Sequence, residues 1–336
     1  MARANAAYYA AKNPFADFTT APEISQVFGE LLGVWAAETW QAMGAPAPVL
    51  LAEAGPGRGT MMADALRAVA KVAPAFGRAL RLHLVETSAR LRAEQAARLP
   101  GATWHDRVEN LPPGPLLLLA NEFLDALPIR QFVFRLGRWA ERFVEEGRFV
   151  ERDPSSRPPP TRGGGAESPL PLWEGVGGGV TPHEGAILEY PEAAISLIST
   201  LAARLANTGG AALFLDYGPE NSAPGDSFQA LRDKKPANPL AEPGSADLTA
   251  HVDFSRLATA ARAAGATVFG PLPQGTFLAR LGLFHRTSAL ARKNPARAGA
   301  LQAAAARLAK PDRMGKLFKA MAVCHPALPT PAGFAA

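Results

Sequence analysis

The chain has 336 residues, of which 48% are hydrophobic, so it can bury a sizeable core and global disorder is excluded. Its net charge of +5 comes from Lys and Arg scattered along the chain, which is a weak nucleic-acid signal, and we predict no nucleic-acid partner. A single cysteine, Cys324, excludes an internal disulfide and a cysteine-cluster metal site and fits a reducing compartment. We also predict no metal. We predict no membrane span, because no apolar run approaches the length that a span needs, and no secretory signal, because the first residues lack an apolar h-region.

In the first half of the chain, segments with the apolar spacing of a helix alternate with short apolar runs typical of buried strands. This pattern predicts a helix over 24–43, a strand over 49–54, a helix over 61–72, a strand over 80–85, a helix over 88–99 and a strand over 115–120. The second half predicts strands with a turn over 131–150, a helix over 195–206, a strand over 211–216, a helix over 254–264 and a closing strand over 267–269. Strands that alternate with helices favour an α/β fold with a parallel sheet covered on both faces.

Residues 152–183 differ in composition from the rest, being dominated by Pro, Gly, Ser and Arg. Such a segment buries too little apolar surface to offset its conformational entropy, so we predict a disordered inserted loop. A cofactor-binding glycine loop is the alternative. It is disfavoured because no strand precedes these glycines.

The stretch LLAEAGPGRGT, residues 50–60, ends a predicted strand and begins a helix. Its alternating glycines permit positive φ and leave room for a ligand against the backbone. A dinucleotide-binding fingerprint, G-x-G-x-x-G, would need a glycine at position 60, where this chain has Thr60. A phosphate-binding loop would end in G-K-[ST], which is absent here. The remaining pattern is typical of S-adenosylmethionine loops, and an acid beside it suits that ligand's positive charge. It predicts a cofactor site at Glu53, Gly55, Gly57, Gly59 and Thr60, with a purely structural turn as the alternative.

A second acid, Glu86, ends the next predicted strand. In sites of this topology such a carboxylate can accept bonds from both ribose hydroxyls. Its alternative role is to favour the start of the following helix, which Ser88 would cap. Trp104, His105 and Asp106 lie where a third strand should end. Asp106 is a candidate cofactor contact there, and Trp104 either holds an adenine or simply packs.

Several segments together resemble the MidA family of methyltransferases, whose mitochondrial members methylate arginine and assist complex I assembly. The matching stretches are PFADFTTAPEISQVFGELLG, EAGPGRGTMMAD, LVETSARLR, ANEFLDALPIRQF, LFLDYG, PGSADLTAHVDF and MGKLFK. The resemblance implies the class I methyltransferase fold, a Rossmann-like seven-stranded, mostly parallel sheet with one antiparallel strand. It also implies S-adenosylmethionine as cofactor and a protein acceptor, a complex I subunit.

The same resemblance places NEFLDALP beside the transferable methyl group. Asn121 can orient the ligand or the backbone, and Glu122 and Asp125 can face a cationic acceptor. Carboxylates match a guanidinium in a two-bond fork, so these three residues are the predicted catalytic set, and Asn121 is also a cofactor contact. The alternative for either acid is a cap on the following turn.

Two further stretches are predicted to close the site. The first supplies Asp17, Thr19, Thr20 and Glu23, although Thr20 to Glu23 is also typical of a helix capping box. The second supplies His251 and Asp253. His251 could act as a base, whereas Asp253 also fits a helix start.

The predicted organisation is an N-terminal helical cap over 1–45, a methyltransferase core over 46–151 and 184–290, the insertion over 152–183, and a C-terminal helical segment over 291–336 packed on the core. We expect the cytoplasm of a bacterium or, in a eukaryote, the mitochondrial matrix, although no convincing transit peptide is present. Two alternatives to a methyltransferase are a non-catalytic assembly protein that keeps the fold and a nucleotide-cofactor oxidoreductase, which the loop spacing disfavours.

Overall fold

The structure, a computed structural model, describes residues 1–12, 19–152 and 182–335. Its strands are β1 (Val49–Ala54), β2 (Leu80–Val85), β3 (Thr103–His105), β4 (Leu116–Asn121), β5 (Arg130–Arg135), β6 (Arg138–Glu145), β7 (Arg148–Arg152), β8 (Ile187–Tyr190), β9 (Gly210–Tyr217), β10 (Gln229–Arg232), β11 (Lys235–Ala237), β12 (Asp247–Thr249), β13 (Thr267–Pro273) and β14 (Phe318–Cys324). Its α-helices are α1 (Ala2–Ala11), α2 (Ala21–Ile24), α3 (Gln26–Ala42), α4 (Thr60–Val72), α5 (Pro74–Ala79), α6 (Ala89–Arg98), α7 (Glu192–Thr208), α8 (Phe254–Ala263), α9 (Gln274–Arg280), α10 (Leu283–Lys293), α11 (Ala298–Ala309) and α12 (Met314–Leu317).

A seven-stranded sheet forms the centre, in the order β13-β14-β9-β4-β1-β2-β3. The pairs from β3 to β9 are parallel, whereas β14 runs antiparallel to both of its neighbours. The prediction of a mostly parallel α/β sheet with one antiparallel strand is therefore confirmed.

Two apolar cores cover the sheet because successive side chains of a buried strand point to opposite faces. Leu51 of β1 packs with α3, α4 and α11 on one face, whereas Leu50 packs with α7 and α8 on the other. β4 is buried over its whole length, which explains its continuous apolar run. This rigid centre brings the carboxyl ends of β1, β2 and β4 to the same edge.

Two small antiparallel sheets flank the centre. One has the order β7-β6-β5-β8, so the strands predicted over 131–150 exist but stand apart from the main sheet. The other has the order β11-β10-β12, and α1 docks against it through Asn5, which donates to the carbonyl of Leu248 and accepts from its N–H group. The predicted insertion falls almost entirely on residues 153–181, which lie outside the described residues.

Three predictions about the chain's ends and elements are corrected. The strand predicted over 267–269 does not close the sheet, because β14 follows it and lies between β9 and β13. The segment 291–336 is therefore not only helical. The predicted cap over 1–45 is also divided, because α3 and Ala21 of α2 belong to the main core, whereas α1 docks on the small sheet of β10, β11 and β12. None of the helices in the described ranges combines the length and apolarity needed to cross a membrane.

Candidate functional site

A cavity of about 440 Å³ opens at the carboxyl edge of β1, β2 and β4. Its walls come from the glycine loop after β1, from the residues that follow β2 and β4, and from α1 and α2. Ligands of open α/β sheets bind at this edge, where strand order reverses and the loops diverge.

The three glycines of the loop after β1 adopt positive φ. Gly55, Gly57 and Gly59 have φ values of 67°, 54° and 74°, which side chains rarely tolerate. Gly55 and Gly57 line the cavity, and a Cβ on Gly55 would lie 3.0 Å from the ring of Phe123. Gly59 instead caps the start of α4. The loop is therefore both a tight turn and a bare backbone surface facing the cavity.

Glu53 lies at the end of β1 and is 3% exposed. It accepts a bond from the N–H of Met62, and its Oε2 has no partner within the described part of the chain. Burial, reinforced by the nearby charge of Glu86, raises its pKa to about 8. A buried carboxyl oxygen without a partner is costly, so this position favours a cationic or hydrogen-bond-donating ligand.

Glu86 follows β2 and also lines the cavity. Its Oε1 accepts from the N–H of Ser88 at 2.8 Å, and Ser88 caps α6, so the predicted helix-start role is present as well. Burial raises the pKa of Glu86. Gln95 reaches it from α6, donating to Glu86 Oε2 at 3.3 Å and to the carbonyl of Gly57 at 2.7 Å. Glu86 is thus tied to the glycine loop.

The predicted aromatic contact is absent from the walls of this cavity. Trp104 donates from Nε1 to Gln95 Oε1 at 2.8 Å and packs against the core, so its packing role is the one observed. Asp106 does line the cavity, and its carboxylate pairs with Arg92 at 2.6 Å.

Asn121, the last residue of β4, and Glu122, the first residue after it, line the cavity wall. Glu122 Oε1 accepts from the amide of Asn121 at 2.9 Å and from the N–H of Ala21 at 3.1 Å. Its backbone has a φ of 50°, which costs a residue with a side chain about 1–3 kcal/mol. Such strain is retained where surrounding contacts hold it, and it is common at functional sites. Burial raises the pKa of Glu122, and the two bonds to Oε1 oppose that shift.

Asp125 lies behind this wall rather than in it. Its side chain is buried, and burial together with Asp216 and Asp247 raises its pKa well above the ordinary value. Its Oδ1 has no partner among the described residues. The charge of Glu122 also raises the pKa of Asp125, although Asp125 does not line the cavity.

The helix α2 and the residue before it line the cavity next to the glycine loop. Thr20 and Glu23 line the cavity, and Thr60 donates to Glu23 Oε1 at 2.7 Å while it accepts from Arg98 at 2.7 Å. Thr19 is exposed and does not line the cavity. Asp17 lies outside the described residues.

The second predicted closing stretch is not at the cavity. Asp253 caps α8, accepting from the N–H of Arg256 at 3.0 Å and from Ser222 Oγ at 2.7 Å. His251 packs its ring edge-on against Tyr217, and neither residue lines the cavity. The helix-start interpretation of Asp253 is the one observed.

Some polar residues at or beside the cavity were not predicted. Asn5 and Tyr9 line it from α1, and Gln95 and Asp216 support its loops from behind. The sequence does indicate that Gln95 is buried, because it lies four residues from both Leu91 and Leu99 and so shares their apolar face. A polar residue there is buried and must find partners.

These groups fit S-adenosylmethionine. The unpartnered Glu53 Oε2 suits the ligand's ammonium group, the glycine backbone lets it approach closely, and Glu86 offers carboxylate oxygens to hydroxyls. The cavity volume of about 440 Å³ also falls within the usual range of small-molecule sites.

A family model described as S-adenosyl-L-methionine-dependent methyltransferase matches residues 31–272. Curated relatives include the mitochondrial protein arginine methyltransferase NDUFAF7 homolog of Drosophila melanogaster, 34% identical over 95% of this chain and 78% of that protein. The human protein arginine methyltransferase NDUFAF7, also named mitochondrial, is 34% identical over 91% of this chain and 73% of its own length.

A solved structure of a protein from Burkholderia thailandensis, bound to S-adenosyl-homocysteine, is similar with a TM-score of 0.76 and 27% identity. The match covers 94% of this chain and 81% of that one. A native structure from the same superfamily and organism has a TM-score of 0.78, also at 27% identity, over 99% and 88% of the two chains. By its sequence, its sheet and the ligand chemistry of its cavity, the chain belongs to this family of S-adenosyl-L-methionine-dependent methyltransferases.

Proposed function

We propose that this methyltransferase modifies arginine side chains of a protein, and that its acceptor is a subunit of respiratory complex I. The observation that carries the proposal is Glu122, a half-buried acid with a raised pKa that is held in a strained backbone conformation on the cavity wall. The alternative of a nucleotide-cofactor oxidoreductase, already disfavoured by the loop spacing, is not retained, because the family is one of methyltransferases.

The cofactor end of the site consists of Glu53, Gly55, Gly57 and Glu86. When bound, S-adenosylmethionine supplies a methyl group activated by the sulfonium. In this proposal Glu53 holds the ligand's cationic end, Glu86 accepts from the ribose and the glycine backbone provides the surface between them. Burial of the two acids strengthens both contacts, since electrostatic attraction rises as the effective dielectric falls.

The acceptor end is centred on Glu122. A guanidinium stays charged at neutral pH and presents its N–H groups in one plane, so a fixed carboxylate can both neutralise and orient it. The amide of Asn121 and the N–H of Ala21 both donate to Oε1, which fixes the side chain. Alignment of one acceptor nitrogen is the main contribution we assign to the protein, since such positioning is worth roughly 7–11 kcal/mol in favourable cases.

The relatives support this acceptor class. Those in fly and human are named protein arginine methyltransferases of mitochondria, and they align over most of this chain. The choice of a complex I subunit as the acceptor rests on the resemblance of the sequence motifs to the MidA family. For the location we propose the mitochondrial matrix in a eukaryote or the cytoplasm of a bacterium.

The proposal is tested by incubating the purified protein with methyl-deuterated S-adenosylmethionine and candidate complex I subunits, followed by intact-mass analysis. We expect labelled methyl groups on one subunit, and none on the same subunit after its modified arginine is changed to lysine. Cofactor binding without transfer to any subunit would instead support the non-catalytic assembly protein. Equal labelling of the lysine variants would exclude arginine as the acceptor.

A further inference from the structure

Asp216, near the end of β9, holds the loop that carries Glu122. It is 1% exposed, and its Oδ2 accepts bonds from three consecutive N–H groups: Phe123 at 3.1 Å, Leu124 at 2.8 Å and Asp125 at 3.3 Å. Its Oδ1 accepts from the N–H of Tyr217 at 2.9 Å. One carboxylate thus joins the end of β9 to the whole turn that follows β4.

This turn needs such support because its first residue is strained. Glu122 adopts a φ of 50°, and its N–H donates to the carbonyl of Leu215 at 2.8 Å. The strand residues 215 and 216 therefore fix both the start and the body of the turn. Without the convergent bonds to Asp216, the chain could relax to an ordinary conformation and carry the Glu122 carboxylate away from the cavity.

The arrangement also explains how a carboxylate is tolerated at this depth. Successive N–H groups that point at one oxygen form a concave anion site, and their dipoles replace the water that the charge has lost. Bonds from N–H groups to a carboxylate are stronger than neutral ones, so the turn gains more than three neutral contacts would give. Burial still raises the pKa of Asp216 to about 7.

We propose that Asp216 is the positioning residue of the acceptor site, acting through the backbone of residues 123–125 to aim Glu122. This inference rests on the proposed function for its kinetic consequences. It assigns Asp216 no contact with the cofactor, because the residue does not line the cavity. Loss of Asp216 should therefore weaken use of the acceptor and leave cofactor binding nearly unchanged.

The test compares Asp216→Asn and Asp216→Ala with the original protein. The asparagine oxygen can still accept from the turn, whereas alanine leaves three N–H groups without a partner. We expect Asp216→Ala to raise the acceptor KM and lower kcat so that kcat/KM falls about tenfold or more, with Asp216→Asn in between. The cofactor Kd, from calorimetric titration, should change by about twofold or less. Gln274→Ala is the control, since it removes a buried bond between α9 and α11 and should lower Tm without changing either constant.

Amide hydrogen exchange provides a readout that needs no turnover. Exchange at residues 123–125 should become about tenfold faster in Asp216→Asn and remain unchanged in Gln274→Ala. Unchanged exchange at these three amides, or a cofactor Kd that shifts as much as the acceptor KM, overturns the inference. If the original protein transfers no methyl group to arginine, the proposed function fails, while the exchange measurement still decides the role of Asp216. If Asp216→Ala does not fold, Asp216→Asn and the exchange data decide it.

Discussion

Glu53 makes cofactor binding a proton-linked event. Its pKa is raised to about 8 in the free protein, mainly by burial, so at neutral pH the carboxyl is largely protonated. A cationic ligand binds the ionised form, so binding must release a proton. We expect the affinity for S-adenosylmethionine to rise with pH from about 6 to about 8 and then to level off. Calorimetry in two buffers of different ionisation enthalpy measures the released proton.

The stability of the unliganded protein should change in the opposite direction over the same window. A carboxyl whose folded pKa lies above the ordinary 4.5 binds more protons when folded, so stability falls as pH rises toward 8. Glu53→Gln should abolish the pH dependence of cofactor binding and weaken that binding by about tenfold or more. It should reduce the pH dependence of stability only in part, because Asp216, whose pKa is also raised to about 7, contributes in the same direction. A pronounced pH dependence of binding that persists in Glu53→Gln would show that another group carries it.

Glu122 is expected to matter for turnover more than for cofactor binding. Glu122→Gln keeps the shape and an acceptor oxygen but removes the charge that faces the guanidinium. We expect turnover with the acceptor subunit to fall about tenfold or more, which is about 1.4 kcal/mol of transition-state stabilisation. The exposed Glu38 provides the control Glu38→Gln, and full activity of Glu122→Gln would contradict the acceptor assignment.

Individual site residues were predictable where the strand pattern alone located them. Glu53, Glu86, Asn121 and Glu122 each end or follow an apolar run, and all four line the cavity. Asp216 also ends a strand, but its role depends on N–H groups more than ninety positions away in sequence, which no local pattern reveals. Some predicted site residues lie away from the cavity because a local pattern does not show which distant groups surround a side chain. A side chain before a helix, such as Asp253, fits a cap and a binding site equally well until its neighbours are known.

Among the elements of the cavity wall, α1 is anchored by side-chain hydrogen bonds of Asn5 and Tyr9. Asn5 donates to Leu248 O and Ala126 O and accepts from Leu248 N–H, and Tyr9 donates to Asp247 at 2.8 Å. Asn5→Ala removes three of these bonds, at about 1 kcal/mol each. We expect faster amide exchange in α1 and a cofactor Kd about tenfold higher. Arg3→Ala, on the exposed side of α1, is the matched control, and equal effects of both changes would show that Asn5 is not the anchor.

Most elements of the main sheet were predictable, and β14 is the informative exception. Its sequence FKAMAVC contains Lys319, which favours a surface position, and it follows alanine-rich helices. The structure buries this lysine by letting its ammonium donate to three carbonyls, those of Lys316, Leu317 and Gly218. A charge satisfied by backbone oxygens leaves no trace in the hydrophobic pattern, so a buried internal strand was assigned to a helical segment.

At the scale of the whole molecule, β14 should be indispensable. Met321 is fully buried in it, whereas Leu317, just before the strand, is 48% exposed. Met321→Asp places an unpaired charge in the core and should cost about 4 kcal/mol or more, enough to abolish cooperative unfolding or soluble expression. Leu317→Asp should change Tm little. Thermal unfolding followed by circular dichroism compares them, and similar Tm values for the two variants would contradict the buried position of β14 between β9 and β13.

The place of β14 in the sheet also sets an order of events on the ribosome. Synthesis runs from the N-terminus, so β9 and β13 are made well before the strand that must lie between them. Until residues 318–324 emerge, the nascent chain carries the unpaired edge of β9 and a β13 without its neighbour. Exposed strand edges of this kind are templates for wrong pairing, so the nascent protein should be a client for chaperones until its last strand is inserted.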